Sequence, residues 1–280
     1  MVAATSTAKL TRVSNQNDST TPPTRPPLVV TIGGGGSYAF GFALGIARGL
    51  REEGIDIASV PLVGTSGGAH AAVAIAAGLS FDDVEPIWTN FVNSSGSLWI
   101  KSGPLAEQLY GHVVVSDVAG VAVRPLRFRR ELLRAPEVRP ADLVAASSSP
   151  FPFARPHKVD KRRYIDGGHR SFASADLAGD ADLQLVLAAF ADRRQGFLGK
   201  MGGRQALKET QRWRHRTAGE TVVIGPNDAM CAVVAKGMRA LGDMGIGRSI
   251  YDLAVPIGRD YAATLRRDHP TVLARIVSTR

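Results

Sequence analysis

Three glycine-flanked stretches hold the residues best placed to do chemistry. Ser66 stands in Gly64-Thr65-Ser66-Gly67-Gly68, Asp166 opens Asp166-Gly167-Gly168, and Gly33-Gly34-Gly35-Gly36 precedes both. Gly-x-Ser-x-Gly alone is a weak pattern in a chain with 30 glycines. Its setting strengthens it. The apolar run Val60-Pro61-Leu62-Val63 leads in and an Ala-rich segment from Ala69 to Ala77 follows, the strand–serine–helix order of a nucleophile elbow. A serine on so sharp a turn needs neighbours without a Cβ, which Gly64 and Gly68 supply. The next helix then turns its N-terminal N–H groups towards the serine. The competing reading is a tight strand–helix turn that happens to hold a small residue.

An attacking serine needs a base within hydrogen-bond reach and donors for the tetrahedral oxygen. Asp166 ends the strand-like Tyr164-Ile165 and precedes a glycine turn, a common way to bring a carboxylate to the C-terminal edge of a sheet. Asp-Gly-Gly by itself is equally an ordinary turn. The glycine loop at 33–36 offers free backbone N–H groups to an anion, either a phosphate or a transient oxyanion. A phosphate site would carry Lys-Ser/Thr after the glycines, which is missing, or an acid about 20 residues on. Glu52, Glu53 and Asp56 fall near that distance but belong to a helix end. The oxyanion reading is preferred because the next strand delivers Ser66. His169, His215 and His269 follow Asp166, so the order Ser–Asp–His of a triad also stays open. His169 reads as a neighbour of the Ser–Asp pair, and His70 as a packed helix residue. The six histidines show no metal-ligand spacing, and neither metal nor cofactor is expected.

The elements that must position these groups follow from pattern. Residues 1–27 are rich in Ser, Thr, Asn and Pro and read as a disordered tail, without the apolar region of a secretory signal. Leu28–Ile32 reads as a buried strand, and Phe42, Ile46 and Leu50 as one face of a helix ending at Gly54. Ser80 predicts an N-cap for a helix over 81–92. Residues 93–139 give no clear periodicity beyond the apolar run Val113–Val115. Asp142–Ala146 and 228–241 read as helices, 183–190 and 221–224 as strands, and 249–265 as a helix that Pro256 should kink or break. Alternating strands and helices from 28 to 245 predict one α/β domain with a mainly parallel sheet, and 246–280 a helical extension of it.

Taken together, Gly33–Gly36 after the first strand, Gly64-Thr65-Ser66-Gly67-Gly68 and Asp166-Gly167-Gly168 resemble the patatin-like phospholipases. The run Ala145-Ala146-Ser147-Ser148-Ser149-Pro150-Phe151-Pro152 looks like that family's approach to its aspartate. The resemblance spans about residues 28–190. It implies a three-layer α/β/α fold, a Ser–Asp dyad, and hydrolysis of acyl esters in lipids. On it Ser66 is the nucleophile, Asp166 the base, and Gly34, Gly35 and Gly36 the oxyanion hole, with Gly167, Gly168 and His169 around the dyad. One departure stands out: Ser37-Tyr38-Ala39-Phe40-Gly41 has no basic residue where the family carries Arg or Lys. Acyl transfer through the same acyl-enzyme, and a non-catalytic lipid-binding module, are the alternatives.

Charge is unevenly spread. Residues 1–192 carry 18 Lys/Arg and 18 Asp/Glu, whereas 193–280 carry 16 and 7, so the whole net charge of +9 lies in the last third. Arg204, Lys208, Arg212 and Arg216 recur every four residues and predict a basic helical stripe, with Trp213 and Leu207 as apolar anchors. Such a stripe fits peripheral contact with an anionic membrane, or merely a solvated face. Nucleic acid is a poorer match, for the segment lacks interleaved aromatics. The single Cys231 suits a reducing compartment, and a cytoplasmic location is expected.

Overall fold

The computed structural model describes residues 25–95, 102–234 and 241–277. Leu28–Ile32 (β1) is buried at every position, as a β-branched run sandwiched between helix layers must be. Leu28, Val30 and Ile32 face one core and Val29 the other. β1 is flanked by Leu62–Thr65 (β2) and Leu183–Leu187 (β7), both parallel to it. Outside these lie Val118–Arg124 (β3), parallel to β2, and Glu220–Ile224 (β8), parallel to β7. Three antiparallel strands complete the sheet: Arg129–Arg134 (β4) and Arg162–Asp166 (β6) on β3, and His157–Val159 (β5) on β6. The result is a mixed, mostly parallel sheet in the order β5-β6-β3-β2-β1-β7-β8.

Helices cover both faces. Gly36–Glu52 (α1) and Gly67–Ala76 (α2) bury Phe42, Ile46, Leu50 and Val73 on one side. Gly196–Thr217 (α6) seats Trp213 and Ala206 on the other. Phe81–Ser95 (α3), Ser102–Tyr110 (α4) and Pro140–Ser147 (α5) flank the Ser66 end of the sheet, and Asp228–Val234 (α7) follows β8. The predicted cap of α3 is present: Ser80 Oγ accepts the Asp83 N–H at 3.3 Å while Asp83 accepts the Ser80 N–H at 2.8 Å.

The middle region, where no periodicity was clear, holds α4, β3 and β4, and Val114 is exposed. Three expectations need correction. The predicted tail does not reach residue 27, for the Pro26 and Pro27 carbonyls accept the Asp182 and Leu183 N–H groups and so continue the sheet; residues 1–24 lie outside the described residues. The strand beginning at Leu183 stops at Leu187, before the predicted 190. Met244–Asp268 (α8) continues through Pro256 without a break, and Pro270–Val277 (α9) follows. A mid-helix proline costs about 3 kcal/mol, but α8 is held by burial of Ile250, Ala254, Ala262 and Leu265 against α1. Gly41, Gly45 and Gly49 of α1 meet Gly247, Ala254 and Gly258 of α8 so closely that an added Cβ would strike the opposite backbone. The last residues of the predicted 228–241 helix, 235–240, are outside the described set. No described helix is long and apolar enough to cross a membrane.

Candidate active site

Strand register brings the two chemical groups together. β2 pairs with β3 up to Thr65↔Val121, and β6 takes over the same edge of β3 at Ala122↔Asp166. Ser66, the residue after β2, therefore emerges beside the last residue of β6. Ser66 Oγ donates to Asp166 Oδ2 at 2.7 Å. The other carboxylate oxygen, Oδ1, accepts the Gly168 N–H at 2.7 Å. Both oxygens are thus fixed, and the glycine turn after Asp166 supplies one of the fixing donors.

Ser66 has φ 54° and ψ −121°, a conformation that non-glycine residues rarely adopt. The surroundings enforce it. A Cβ at Gly64 would run into the Gly68–Ala69 backbone, and one at Gly68 into the Ile32 and Gly33 carbonyls. Ser66 N–H donates to Ser147 Oγ at 2.9 Å, and Ser147 Oγ donates in turn to the Val121 carbonyl at 2.7 Å.

That serine is one of three at the end of α5, each with its own partner. Ser148 Oγ gives its proton to the Val144 carbonyl at 2.7 Å, so it receives the Nε2–H of His70 at 3.3 Å. Ser149 Oγ meets Ser102 Oγ at 2.8 Å, and its carbonyl accepts the Asp166 N–H at 2.9 Å. The serine run thereby ties Ser66, the α2 helix and the aspartate strand to one helix end. Sequence reasoning used this run only as an approach to Asp166. Its positioning role was signalled by three consecutive hydroxyls directly after a helical stretch.

Burial pushes the Asp166 carboxyl above the usual carboxylate range, against the opposing pull of the Ser66 and Gly168 hydrogen bonds. A higher pKa makes it a better proton acceptor than an exposed aspartate. His70 is 3% exposed, and burial drives its pKa down to about 3, so it is neutral. It packs between Trp88 and Tyr110.

No described histidine completes a triad. His169 Nε2 accepts the Phe151 N–H at 3.1 Å, and no hydrogen bond joins it to Ser66 or Asp166. His215 is exposed on α6, and His269 faces Glu220. The described His, Cys, Asp and Glu side chains form no group of three suited to a metal.

The glycine loop needs one revision. The Gly34 N–H is taken by the Phe172 carbonyl at 2.8 Å and cannot serve an oxyanion. Gly35 and Gly36 have no backbone acceptor among the described residues, and both line the cavity beside Ser66. Their φ values of 142° and 58° require glycine, and a Cβ on Gly35 would enter the Phe190 ring. Ser37, where a basic residue was expected from the resemblance, faces the carbonyls of Leu241 and Asp243 at 3.1 and 2.7 Å. It fastens the start of α1 to the turn that leads into α8.

Ser66 sits between two cavities. The inner one, about 450 Å³, reaches towards His70, Trp88, Ser102 and Leu105. The outer one, about 1120 Å³ and open to solvent, is walled by Pro150, Phe151, Phe153, Phe172, Leu198 and Leu241. Its lining is overwhelmingly apolar, with the dyad and the glycine loop at its floor.

The basic stripe is only half a stripe. Arg212 pairs with Asp176 at 3.6 Å, and Arg216 donates to the Asp176 and Ala178 carbonyls at 2.8 and 2.5 Å. Both are occupied in holding the 174–178 loop. Trp213 is fully buried, its Nε1–H donating to the Gly179 carbonyl at 3.0 Å, and cannot anchor anything outside the protein. Arg204 and Lys208 are exposed and have no ion-pair partner among the described residues. No protein-family model matches this chain, and no curated protein matches it.

Proposed function

We propose that this protein is a lipid acyl hydrolase of the patatin-like kind, working through a Ser66–Asp166 dyad. The observation that carries the reading is the 2.7 Å hydrogen bond from a strained elbow serine to a buried aspartate, at the floor of an apolar cavity. A hydrogen bond of this length places the base where the proton must go.

In this reading the ester carbonyl lies against Gly35 and Gly36. Asp166 takes the Ser66 proton as Oγ attacks, and the tetrahedral oxygen is held by the Gly35 and Gly36 N–H groups, each donor worth about 10²–10³ in rate. Collapse breaks the bond to the leaving alcohol, which carries off the proton held by Asp166. Water then loses a proton to Asp166, attacks the acyl-Ser66 carbonyl, and frees the fatty acid. Ser66 recovers its proton from Asp166, and the dyad is restored. Phe151, Phe153, Phe172 and Leu198 suit a long acyl chain, because such a chain gains about 0.8 kcal/mol per buried methylene. A single buried thiol, Cys231, suits the reducing cytoplasm.

Fluorophosphonate labelling tests this directly. Intact-mass analysis should show one adduct, mapped by peptide sequencing to Ser66 and absent from Ser66→Ala. An adduct on Ser147, Ser148 or Ser149, or ester hydrolysis surviving Ser66→Ala, would overturn the assignment.

A further inference from the structure

The mouth of the outer cavity has an unusual composition. Three of the segments around it are 150–155, 167–172 and 193–208, which supply Phe151 and Phe153, His169 and Phe172, and Leu198 respectively, while Leu241 walls another side. Gln205 of α6 ties the last two together, its Oε1 accepting the Phe172 N–H at 3.2 Å. None of the three segments contains an Asp or Glu. They carry Arg155, Arg170, Arg193, Lys200, Arg204 and Lys208, all exposed and without a carboxylate partner among the described residues. Arg194, the remaining cation, is neutralised by Asp192 and Asp228.

The same rim exposes large apolar side chains. Phe151 is 53% exposed, Phe153 64% and Phe197 77%. Phe151 and Phe197, exposed beside an open apolar cavity, mark a surface meant to be covered. Phe197, Lys200, Met201, Arg204 and Lys208 recur at helical spacing along the start of α6, which places apolar and cationic groups on one side of that helix.

We propose that this rim docks on an anionic lipid bilayer, with Phe151, Phe153 and Phe197 entering the acyl region and the six cations meeting the headgroups. The unpaired charge on these three segments is of one sign, which a bilayer bearing anionic lipids complements. The exposed phenylalanines are what distinguishes a bilayer from a soluble polyanion, for only a bilayer offers an apolar phase beneath its charge. Docking in this orientation sets the cavity mouth on the membrane, so that an acyl chain passes to Ser66 without crossing water. The idea extends the lipid acyl hydrolase reading, yet binding can be measured whether or not the protein turns over.

The test is co-sedimentation of the full chain with phosphatidylglycerol vesicles and with phosphatidylcholine vesicles, alongside hydrolysis of a soluble short-chain ester. Binding is expected to the anionic vesicles only, and to be released when salt rises from about 0.1 M to about 1 M and the screening length falls from about 10 to about 3 Å. K200Q/R204Q/K208Q should weaken binding about a hundredfold, and Phe197→Ser about tenfold, while Phe197→Leu retains it. Turnover of the soluble ester should be unchanged in all three. Equal binding to neutral vesicles, or affinity untouched by the charge variant, would overturn the proposal. So would binding of a single-stranded RNA as tight as that of the vesicles and equally indifferent to Phe197→Ser. Vesicle binding without any ester turnover would instead preserve the docking surface and sink the hydrolase reading.

Discussion

The hydroxyl of Ser147 bridges the Ser66 amide and the Val121 carbonyl, at 2.9 and 2.7 Å. One side chain from α5 thus clips the Ser66 backbone to the neighbouring strand. A residue held at positive φ persists only where its surroundings over-determine it, and this clip is part of that constraint. Ser147→Ala leaves a buried donor and a buried acceptor unpaired, costing about 1–3 kcal/mol of stability. Because it loosens the Ser66 alignment, kcat for a soluble ester should fall about tenfold or more with little change in KM. Full kcat in a variant of lowered melting temperature would show that the elbow holds its own shape.

Asp166 should leave opposite signatures on activity and stability. In the proposed mechanism Asp166 must be ionised, so kcat/KM should fall as pH drops through a pKa that burial has raised. The stability contribution has the other sign. A carboxyl whose pKa is higher folded than unfolded binds more protons in the folded state, so its contribution is most favourable at low pH and is lost as pH rises through the folded pKa. Asp166→Asn should therefore abolish turnover by a factor of about 10²–10⁴ and raise the melting temperature at neutral pH. That gain should vanish in acid, where Asp166 is itself protonated. A variant less stable than the parent at neutral pH would refute the buried-charge account.

Activity should not depend on imidazole. His169→Ala, His215→Ala and His269→Ala should each keep most of the ester turnover, and Ser66→Ala/Asp166→Asn should be little worse than either change alone, since the pair acts as one unit. Should His169→Ala prove as inactive as Ser66→Ala, a triad replaces the dyad.

The basic stripe should divide into two halves by thermal melting. R212Q/R216Q removes the hydrogen bonds to Asp176 and Ala178 and should destabilise the protein by about 1 kcal/mol, the modest figure reflecting half-exposed side chains. R204Q/K208Q should leave the melting temperature within experimental error. Equal effects would mean that the arginine contacts to the 174–178 loop contribute nothing.

Legibility in the sequence tracked how local each constraint is. β1, the Ser66 turn and α2 declare themselves within a few residues, through apolar runs and glycines whose backbone geometry is strict. β3 and β4 did not, because Val118–Arg124 includes Gly120 and ends in a charge, and its strand character comes from pairing with β2, β4 and β6. Pro256 misled for a related reason: its local cost is offset by a partner helix two hundred residues away in sequence. At the site, Ser66 and Asp166 were legible as motif residues, whereas the loss of the Gly34 N–H to Phe172 and the seats of Ser147 and Trp213 are tertiary facts with no local signature.

The close seating of α8 on α1 bears on when the site is completed. Ser37 grips the carbonyls of Leu241 and Asp243, and Leu241 walls both cavities beside Ser66. A chain being synthesised exposes Ser66 and Asp166 long before residues 241–268 leave the ribosome. Until they do, the glycine stripe of α1 has nothing against it and the loop bearing Gly35 and Gly36 lacks its outer support. The cavity around Ser66 therefore gains its last wall only when α8 packs against α1.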